Sequence, residues 1–411
     1  MISVDEAVVR IAKSFASLAS EMVPVAEAAG RVLAEDAVAR LDHPPAPMSA
    51  MDGYAVRNSD ARVGAELSII GEAPAGRPFS GRVGAGEAVR IFTGGVVPEG
   101  ADSVVIQEDT QSAGPRILIK EAPRPGENVR PRALDFRSGE VLIARGHRLS
   151  PRDLALIAAG DIAKISVTRK PCVAIVATGD ELTRPGEPRK QGGIVASSSY
   201  ALQAMVRQWG GEARDVGILP DKPEAFATLP EVAKTADLIV TQGGASVGDH
   251  DLVQSALKPY GFALDFWRIA MRPGKPLIFG RLRDTPFIGL PGNPVSAMVC
   301  AVLFIQPAIA AMLGMAYEPP IANARLGAPL RANGRRQDYI RTRLIRRDGV
   351  LTAEPFDLQD SSMQRIFAQS EGLIVRRIDA PAAEPGDDVE VLLLDGPLSG
   401  CRGASRRVDH A

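Results

Sequence analysis

The sequence predicts a multidomain α/β protein: a doubly wound parallel-sheet domain, a small mainly-β domain, an N-terminal helical linker domain and a C-terminal barrel-like β domain. Three observations point there. At 411 residues the chain is too long for a single hydrophobic core. Between 171 and 316, unbroken apolar runs alternate with helical patterns, as expected for strands buried on both faces and joined by crossover helices. On either side of that segment, short β-like runs are broken by Gly and Pro.

The elements follow in order. Ser3 reads as a helix cap with Glu6 as its capping-box partner, ahead of apolar Val8, Ile11, Phe15 and Leu18. Residues 1–45 and 136–170 form helical linker segments, the second carrying a helix from Pro151 to Ala159 capped by Ser150. The small β domain, 46–135, has runs at Leu67–Ile70, Ala88–Phe92, Ser103–Gln107 and Ile117–Lys120. In the α/β domain, 171–316, strands at Cys172–Ala177, Leu238–Val240, Leu277–Gly280 and Phe287–Leu290 accompany helices at Tyr200–Trp209, Pro223–Thr235, His250–Leu257 and Pro294–Leu313. Residues 317–398 return to β texture, with strands at Arg341–Arg346 and Gly372–Arg377 of a barrel or sandwich, and 399–411 is a frayed tail.

Composition excludes several function classes. Apolar content of 45%, 24% charged residues and a net charge of −1 describe an ordinary globular chain with no global attraction to nucleic acid or membrane. Eight arginines against two aspartates in 321–350 are balanced by ten acids against three arginines in 351–400, and no interleaved aromatics mark a nucleic-acid stripe. Cys172, Cys300 and Cys401 have neither metal-site nor disulfide spacing, which fits a reducing, cytoplasmic setting. Val295–Leu313 is uncharged and long enough to span a bilayer. It follows a strand and a Pro-Gly-Asn-Pro turn, contains Gln306 and Pro307, and lacks a basic flank, so it reads as a buried core helix.

Chemistry gathers in three loops that end strands of the α/β domain. These are Thr178-Gly179-Asp180-Glu181, Gly243-Gly244-Ala245-Ser246-Val247-Gly248-Asp249 and Pro291-Gly292-Asn293-Pro294, the last continuing to Ser296. Beyond the carboxyl ends of parallel strands, helix N-termini and free backbone N–H groups attract anions, and Gly lets the main chain approach a phosphate. Asn293 as cap and Pro294 in the first turn should expose one such N-terminus cleanly. Neither a Walker loop nor GxGxxG is present, which disfavours an ordinary ATPase or NAD enzyme. Asp180, Glu181, Asp249 and Asp251 would repel a phosphate unless a hard cation such as Mg²⁺ lay between, and Glu181 with Asp251 forms the candidate metal pair. As plain helix caps, Asp180 and Asp249 would need no ligand. The turn Arg272-Pro273-Gly274-Lys275-Pro276 offers two cations to an oxyanion, unless it is only a solvated turn. Asp221 joins the candidate catalytic acids, and Arg341, from the arginine-rich stretch 333–343, is the candidate arginine reaching a shared site.

Taken together, these residues resemble the MoeA family of molybdopterin molybdenumtransferases, also seen in the E domain of gephyrin. The resemblance runs from about residue 1 to 396. It is carried by Ser49-Ala50-Met51-Asp52-Gly53-Tyr54-Ala55, Thr93-Gly94-Gly95-Val96-Val97-Pro98-Glu99-Gly100-Ala101-Asp102, Thr178–Leu182, Gly243–Gly248, Pro273–Pro276 and Gly289–Ser296. It implies homodimers that take adenylylated molybdopterin and molybdate with Mg²⁺, release AMP and leave molybdenum on the dithiolene sulfurs. Glu181 and Asp251 then match acidic residues near metal and phosphate, and Lys275 and Arg272 match cations that bind molybdate. Asp52 and Thr93 would complete the site from the partner subunit, although an Asp-Gly pair is by itself a turn signal. The resemblance further implies transient contact with the molybdopterin adenylyltransferase and with acceptor molybdoenzymes.

Arg272 stands where the family often has Lys. Ala133-Leu134-Asp135, Ser198 and Asp360-Ser361-Ser362 also depart from the family pattern. Two other readings are molybdopterin adenylylation, or another phosphoanhydride reaction on a related α/β domain, and a non-catalytic pterin-binding scaffold. The β domain with Asp52 and Thr93 argues against the first, and the intact set of site charges against the second.

Overall fold

The structure, a computed structural model, describes residues 1–244 and 252–394. The chain forms two compact units, one of residues 21–167 and one of residues 1–20 with 168 onward.

In the 21–167 unit, six strands form one sheet: β1 (Gly53–Val56), β2 (Glu66–Ala73), β3 (Glu87–Ile91), β4 (Ser103–Ile106), β5 (Thr110–Ala113) and β6 (Arg116–Ile119). Their order is β4-β1-β3-β2-β6-β5, antiparallel except for β2 with β3. Successive residues point to opposite faces, so Val56, Ala88 and Val105 join one core and Ala55, Val89 and Val104 the other. The sequence-derived runs match β2, β3, β4 and β6 closely. It did not anticipate β1, which begins on a glycine and lies inside the Asp52-Gly53-Tyr54 motif. Gly53 is required there, because a Cβ would sit 2.0 Å from the Val105 carbonyl oxygen. A separate cluster of Leu33, Ala37, Ile143, Leu149, Ile157 and Val167 packs the helix Pro151–Ala159. Ser150 and Asp153 close its expected start as a reciprocal capping box, worth about 1 kcal/mol.

In the other unit, the helix Val4–Lys13 starts at Ser3, whose hydroxyl accepts the Glu6 N–H at 3.1 Å. The Glu6 carboxylate takes Arg10 instead of closing the box, and the helix ends before Phe15 and Leu18. The α/β sheet contains β7 (Cys172–Thr178), β8 (Glu212–Leu219), β9 (Leu238–Gln242), β10 (Phe262–Arg268), β11 (Pro276–Leu282) and β12 (Thr285–Leu290), in the order β8-β7-β9-β12-β11-β10. β7, β9 and β12 are parallel, as expected, and β8, which the sequence did not reveal, joins them, while β11 and the likewise unanticipated β10 add antiparallel pairings, so the sheet is mixed. The reason is local. Arg283-Asp284 alone join β11 to β12, too short a link for the crossover that a parallel pair needs. Residues 173–179 are all buried, the mark of a strand covered on both faces.

The long apolar helical segment runs Pro294–Cys300 as α, Ala301–Ile305 as π and Gln306–Met312 as α. The wider turn precedes Pro307, which has no N–H to continue the α ladder. Its length and mean hydropathy of 2.1 would suit a membrane span, yet 83% of that window is buried inside the protein. It is a core helix. Beyond it, β13 (Ile321–Leu326), β14 (Gln337–Arg347), β15 (Val350–Pro355), β16 (Gly372–Arg376) and β17 (Asp388–Leu393) run β14-β15-β13-β17-β16, and β16 pairs back to β14. The C-terminal β domain is thus a closed five-stranded barrel around Leu326, Leu344, Ile374 and Val391. Residues 399–411, the expected tail, lie outside the described residues.

Candidate functional site

Because β8, β7, β9 and β12 are parallel and adjacent, the loops that leave them lie along one edge of the sheet. Gly179 N–H donates to the Leu219 carbonyl at 3.1 Å and Gly243 N–H to the Leu290 carbonyl at 3.2 Å, which stitches neighbouring strand ends together. The Gln242 amide donates to the Gly292 carbonyl at 3.2 Å. Glycine is obligatory at 243: φ is +98°, and a Cβ would lie 2.5 Å from the Thr178 carbonyl oxygen. The glycine loops at 179, 243 and 292 therefore lie along one ridge at the sheet edge, with Gly179 buried, Gly243 half-buried and Gly292 exposed. Ser246, Gly248, Asp249 and Asp251 lie outside the described residues.

Acids gather at the β7 and β8 ends of this ridge. Asp180 and Glu181 are exposed, and Asp221 follows β8 with its N–H donated to Asp180 Oδ1 at 3.3 Å. Partial desolvation pushes the Asp221 carboxyl above its ordinary value, and the nearby charges of Glu181 and Asp180 push it the same way. Three carboxyl groups are thus held close enough to repel. Among the described residues no three acidic, His or Cys side chains are arranged to hold a metal ion by themselves. The donor set is nonetheless all carboxylate oxygen, which suits a hard divalent cation completed by a ligand or a further acid.

The cationic turn reaches the same edge by a different route. β11 is antiparallel to β12 with Ile278 opposite Gly289, so the start of β11 at Pro276 lies beside the end of β12. Lys275 is half-buried there and has no ion-pair partner among the described residues. Arg272 differs. Its Nε donates to Asp338 Oδ1 at 3.0 Å and its Nη2 to Oδ2, so both arms of the fork are engaged by a buried carboxylate on β14. A lysine could not make that two-point contact, which accounts for Arg at this position. Its charge is already paired, whereas that of Lys275 has no such partner among the described residues.

The Asn293 turn is less open than the sequence suggested. Asn293 has N-cap backbone geometry, but its amide donates to Ser361 Oγ at 2.8 Å, and the Val295 N–H is taken by the Ser361 carbonyl at 3.1 Å. Ser361 thus covers part of that helix end, while Pro294 occupies the first turn and Ser296 is buried in it. Behind this turn Arg341 is 1% exposed. Its guanidinium donates to the Asp360 carbonyl at 3.3 Å, and its Nε has no hydrogen-bond partner. Arg341 supports the Asp360–Ser361 turn from the face of β14 opposite the barrel core and does not project as a free arginine. Ser361 and Asp338 were not anticipated as contacts, since their neighbours come from strands distant in sequence.

In the 21–167 unit, Asp52 and Thr93 meet directly. Thr93 donates its N–H at 2.7 Å and its hydroxyl at 2.8 Å, both to Asp52 Oδ1. These bonds, the backbone one foremost, hold the carboxyl below its usual range, with Arg90 adding a smaller pull. Asp52 is exposed, so the donors fix one oxygen and leave Oδ2 to face outward. More than a simple Asp-Gly turn is built here, because the side chain bridges two separate loops.

Residues 2–160 match the MoeA N-terminal region (domains I and II), 174–311 a probable molybdopterin binding domain, and 323–394 the MoeA C-terminal region (domain IV). A molybdopterin molybdenumtransferase from Nostoc is 38% identical over 91% of this chain and 89% of its own length. One from Haemophilus influenzae is 35% identical over 90% and 93%. A solved molybdopterin biosynthesis moeA protein from Pyrococcus horikoshii superimposes with a TM-score of 0.83 at 29% identity, covering 96% of this chain and all of that one. The chain belongs to the MoeA family of molybdopterin molybdenumtransferases.

Proposed function

We propose that this member of the family is the enzyme of molybdenum cofactor biosynthesis that inserts molybdenum from molybdate into the dithiolene of adenylylated molybdopterin, releasing AMP. The observation that carries this reading is the shared sheet edge, along which lie glycine loops, the acids Asp180, Glu181 and Asp221, and Lys275, which has no ion-pair partner among the described residues. That edge can receive a pyrophosphate and an oxyanion side by side.

The parts divide the work by charge. The glycine loops let phosphates approach the strand ends closely, since no side chain intervenes. Lys275 offers a point charge to the oxyanion. Glu181 and Asp221, with Asp251, would hold Mg²⁺, whose charge supports departure of AMP from the anhydride. The enzyme works as a cytoplasmic homodimer, in which Asp52 and Thr93 of a second copy complete the site. The outward-facing Oδ2 of Asp52 and its fixed ionised state support that role.

The test is incubation with adenylylated molybdopterin, Mg²⁺ and molybdate, following AMP and metal-loaded cofactor. Wild-type protein should form both in step, and absence of AMP release would exclude the reading. Asp251→Ala should stay folded and lose turnover; unchanged activity would remove Asp251 from the metal set.

A further inference from the structure

Arg90 takes no part in the proposed chemistry, yet it is the most elaborately held side chain next to Asp52. It sits on β3 directly opposite Tyr54 on β1. Its guanidinium carbon lies 5.1 Å from the Tyr54 ring centroid and 4.9 Å from that of Phe92, so the cation is flanked by two aromatic rings. Nη1 donates to the Gly53 carbonyl at 3.1 Å, and Nη2 to Gln107 Oε1 at 2.8 Å. Gln107 in turn donates its own N–H to the Asp52 carbonyl at 3.1 Å. The two peptide carbonyls that bracket the Asp52–Gly53 step are therefore tied, one to Arg90 directly and one through its partner Gln107.

We propose that Arg90 is a positioning residue: it clamps the Asp52–Gly53 main chain so that the Asp52 carboxylate meets Thr93 with one oxygen and presents the other outward. The inference rests on the assignment of Asp52 to the reaction. Glycine at 53 leaves the chain no side chain of its own to wedge it in place, and the Val105 carbonyl leaves no room for one. Backbone pairing opposite Ile91 and Ile106 holds Gly53 in the sheet, and Arg90 adds a side-chain clamp at the strand end next to Asp52. The fixed fork of arginine reaches two acceptors while lying flat between rings, and an ammonium cannot do this. The charged groups on surrounding segments include Arg90, Glu72 directly opposite it on β2 with its partner Arg77, Glu108 and Asp109 of the turn after β4, and Arg130 of the strand facing Met48–Ser49. Of these, Arg90 is the one whose charge lowers the Asp52 pKa.

Two variants separate geometry from charge. Arg90→Lys keeps the charge and loses the fork, whereas Arg90→Gln loses the charge. With the full-length enzyme, Arg90→Lys should lower kcat about tenfold with KM for adenylylated molybdopterin changed less than about threefold, the pattern of a misplaced group. In ligand-free protein it should also speed hydrogen exchange at the Thr93 amide about tenfold, with amides of β2 and β6 unchanged, because loosening Asp52 weakens its grip on that N–H. Arg90→Gln should add a raised Asp52 pKa by carboxyl NMR titration, moving the acid limb of kcat/KM to higher pH. Wild-type kcat together with unchanged Thr93 exchange in Arg90→Lys would overturn the proposal. If the wild type itself releases no AMP, the functional reading fails and Thr93 exchange alone decides the clamp. Should Arg90→Lys not fold, Gln107→Ala removes one acceptor and must shift Thr93 exchange in the same direction, or the clamp is refuted.

Discussion

Asp52 and Asp221 are both exposed carboxylates at the ends of strands, and their surroundings drive them in opposite directions. Thr93 donors favour the ionised form of Asp52, so its stabilising contribution is present above the unfolded value near 3.8 and fades as pH falls through its lower folded value. Asp221 is raised by partial desolvation and by Glu181 and Asp180, so its neutral form stabilises below 3.8, and that benefit is lost as pH rises through its higher folded value. At neutral pH, ionised Asp221 works against the fold. Asp221→Asn should therefore raise the melting temperature slightly at pH 7, with the gain vanishing below about pH 4, while turnover collapses. A lower melting temperature at pH 7 would contradict the carboxylate crowding. Asp52→Asn keeps an acceptor for the Thr93 N–H but removes the charge. It should cut kcat by about 10²-fold or more while leaving thermal stability nearly intact, as activity and melting assays on one preparation can show.

Elements place these residues, and glycine sets how closely the elements can meet. The β9 end touches the β7 end at Gly243, where a methyl group would meet the Thr178 carbonyl and the backbone lies at positive φ. Gly243→Ala should cost about 1–3 kcal/mol in urea unfolding, and a cost indistinguishable from zero would show that the loop relaxes freely. The glycine loops and their anion-binding logic were legible in the sequence because they are local signals. The antiparallel approach of β11 was not, although it brings Lys275 to the ridge, because strand pairing depends on sequence-distant partners. The same limit applies to Ser361 and Arg341. The arginine stretch was visible, but that Arg341 would be buried beside the Asp360 turn depends on a contact 19 residues away along the chain.

At the scale of the molecule, a near-neutral chain gathers acids and Lys275, which has no ion-pair partner among the described residues, along one sheet edge. If a second copy supplies Asp52, inactive variants should rescue each other. Mixing Asp52→Ala with Glu181→Gln under exchange conditions should restore about a quarter of wild-type activity, since half the dimers are mixed and each has one intact site. Activity that stays at the level of the separate variants would argue for a site built within one chain.

By itself the sequence determined the division into β, α/β and barrel-like segments, the glycine loops, the core helix and the identity of the charged candidates. These are written in periodicity, turn chemistry and contiguous motifs, all of which act over a few residues. Only the tertiary structure decided which polar groups are already engaged. Arg272 is taken by Asp338, Asn293 by Ser361 and Asp52 by Thr93, while Lys275 has no ion-pair partner among the described residues. Pairing is a property of distance in space, and the partners lie 66, 68 and 41 residues apart along the chain.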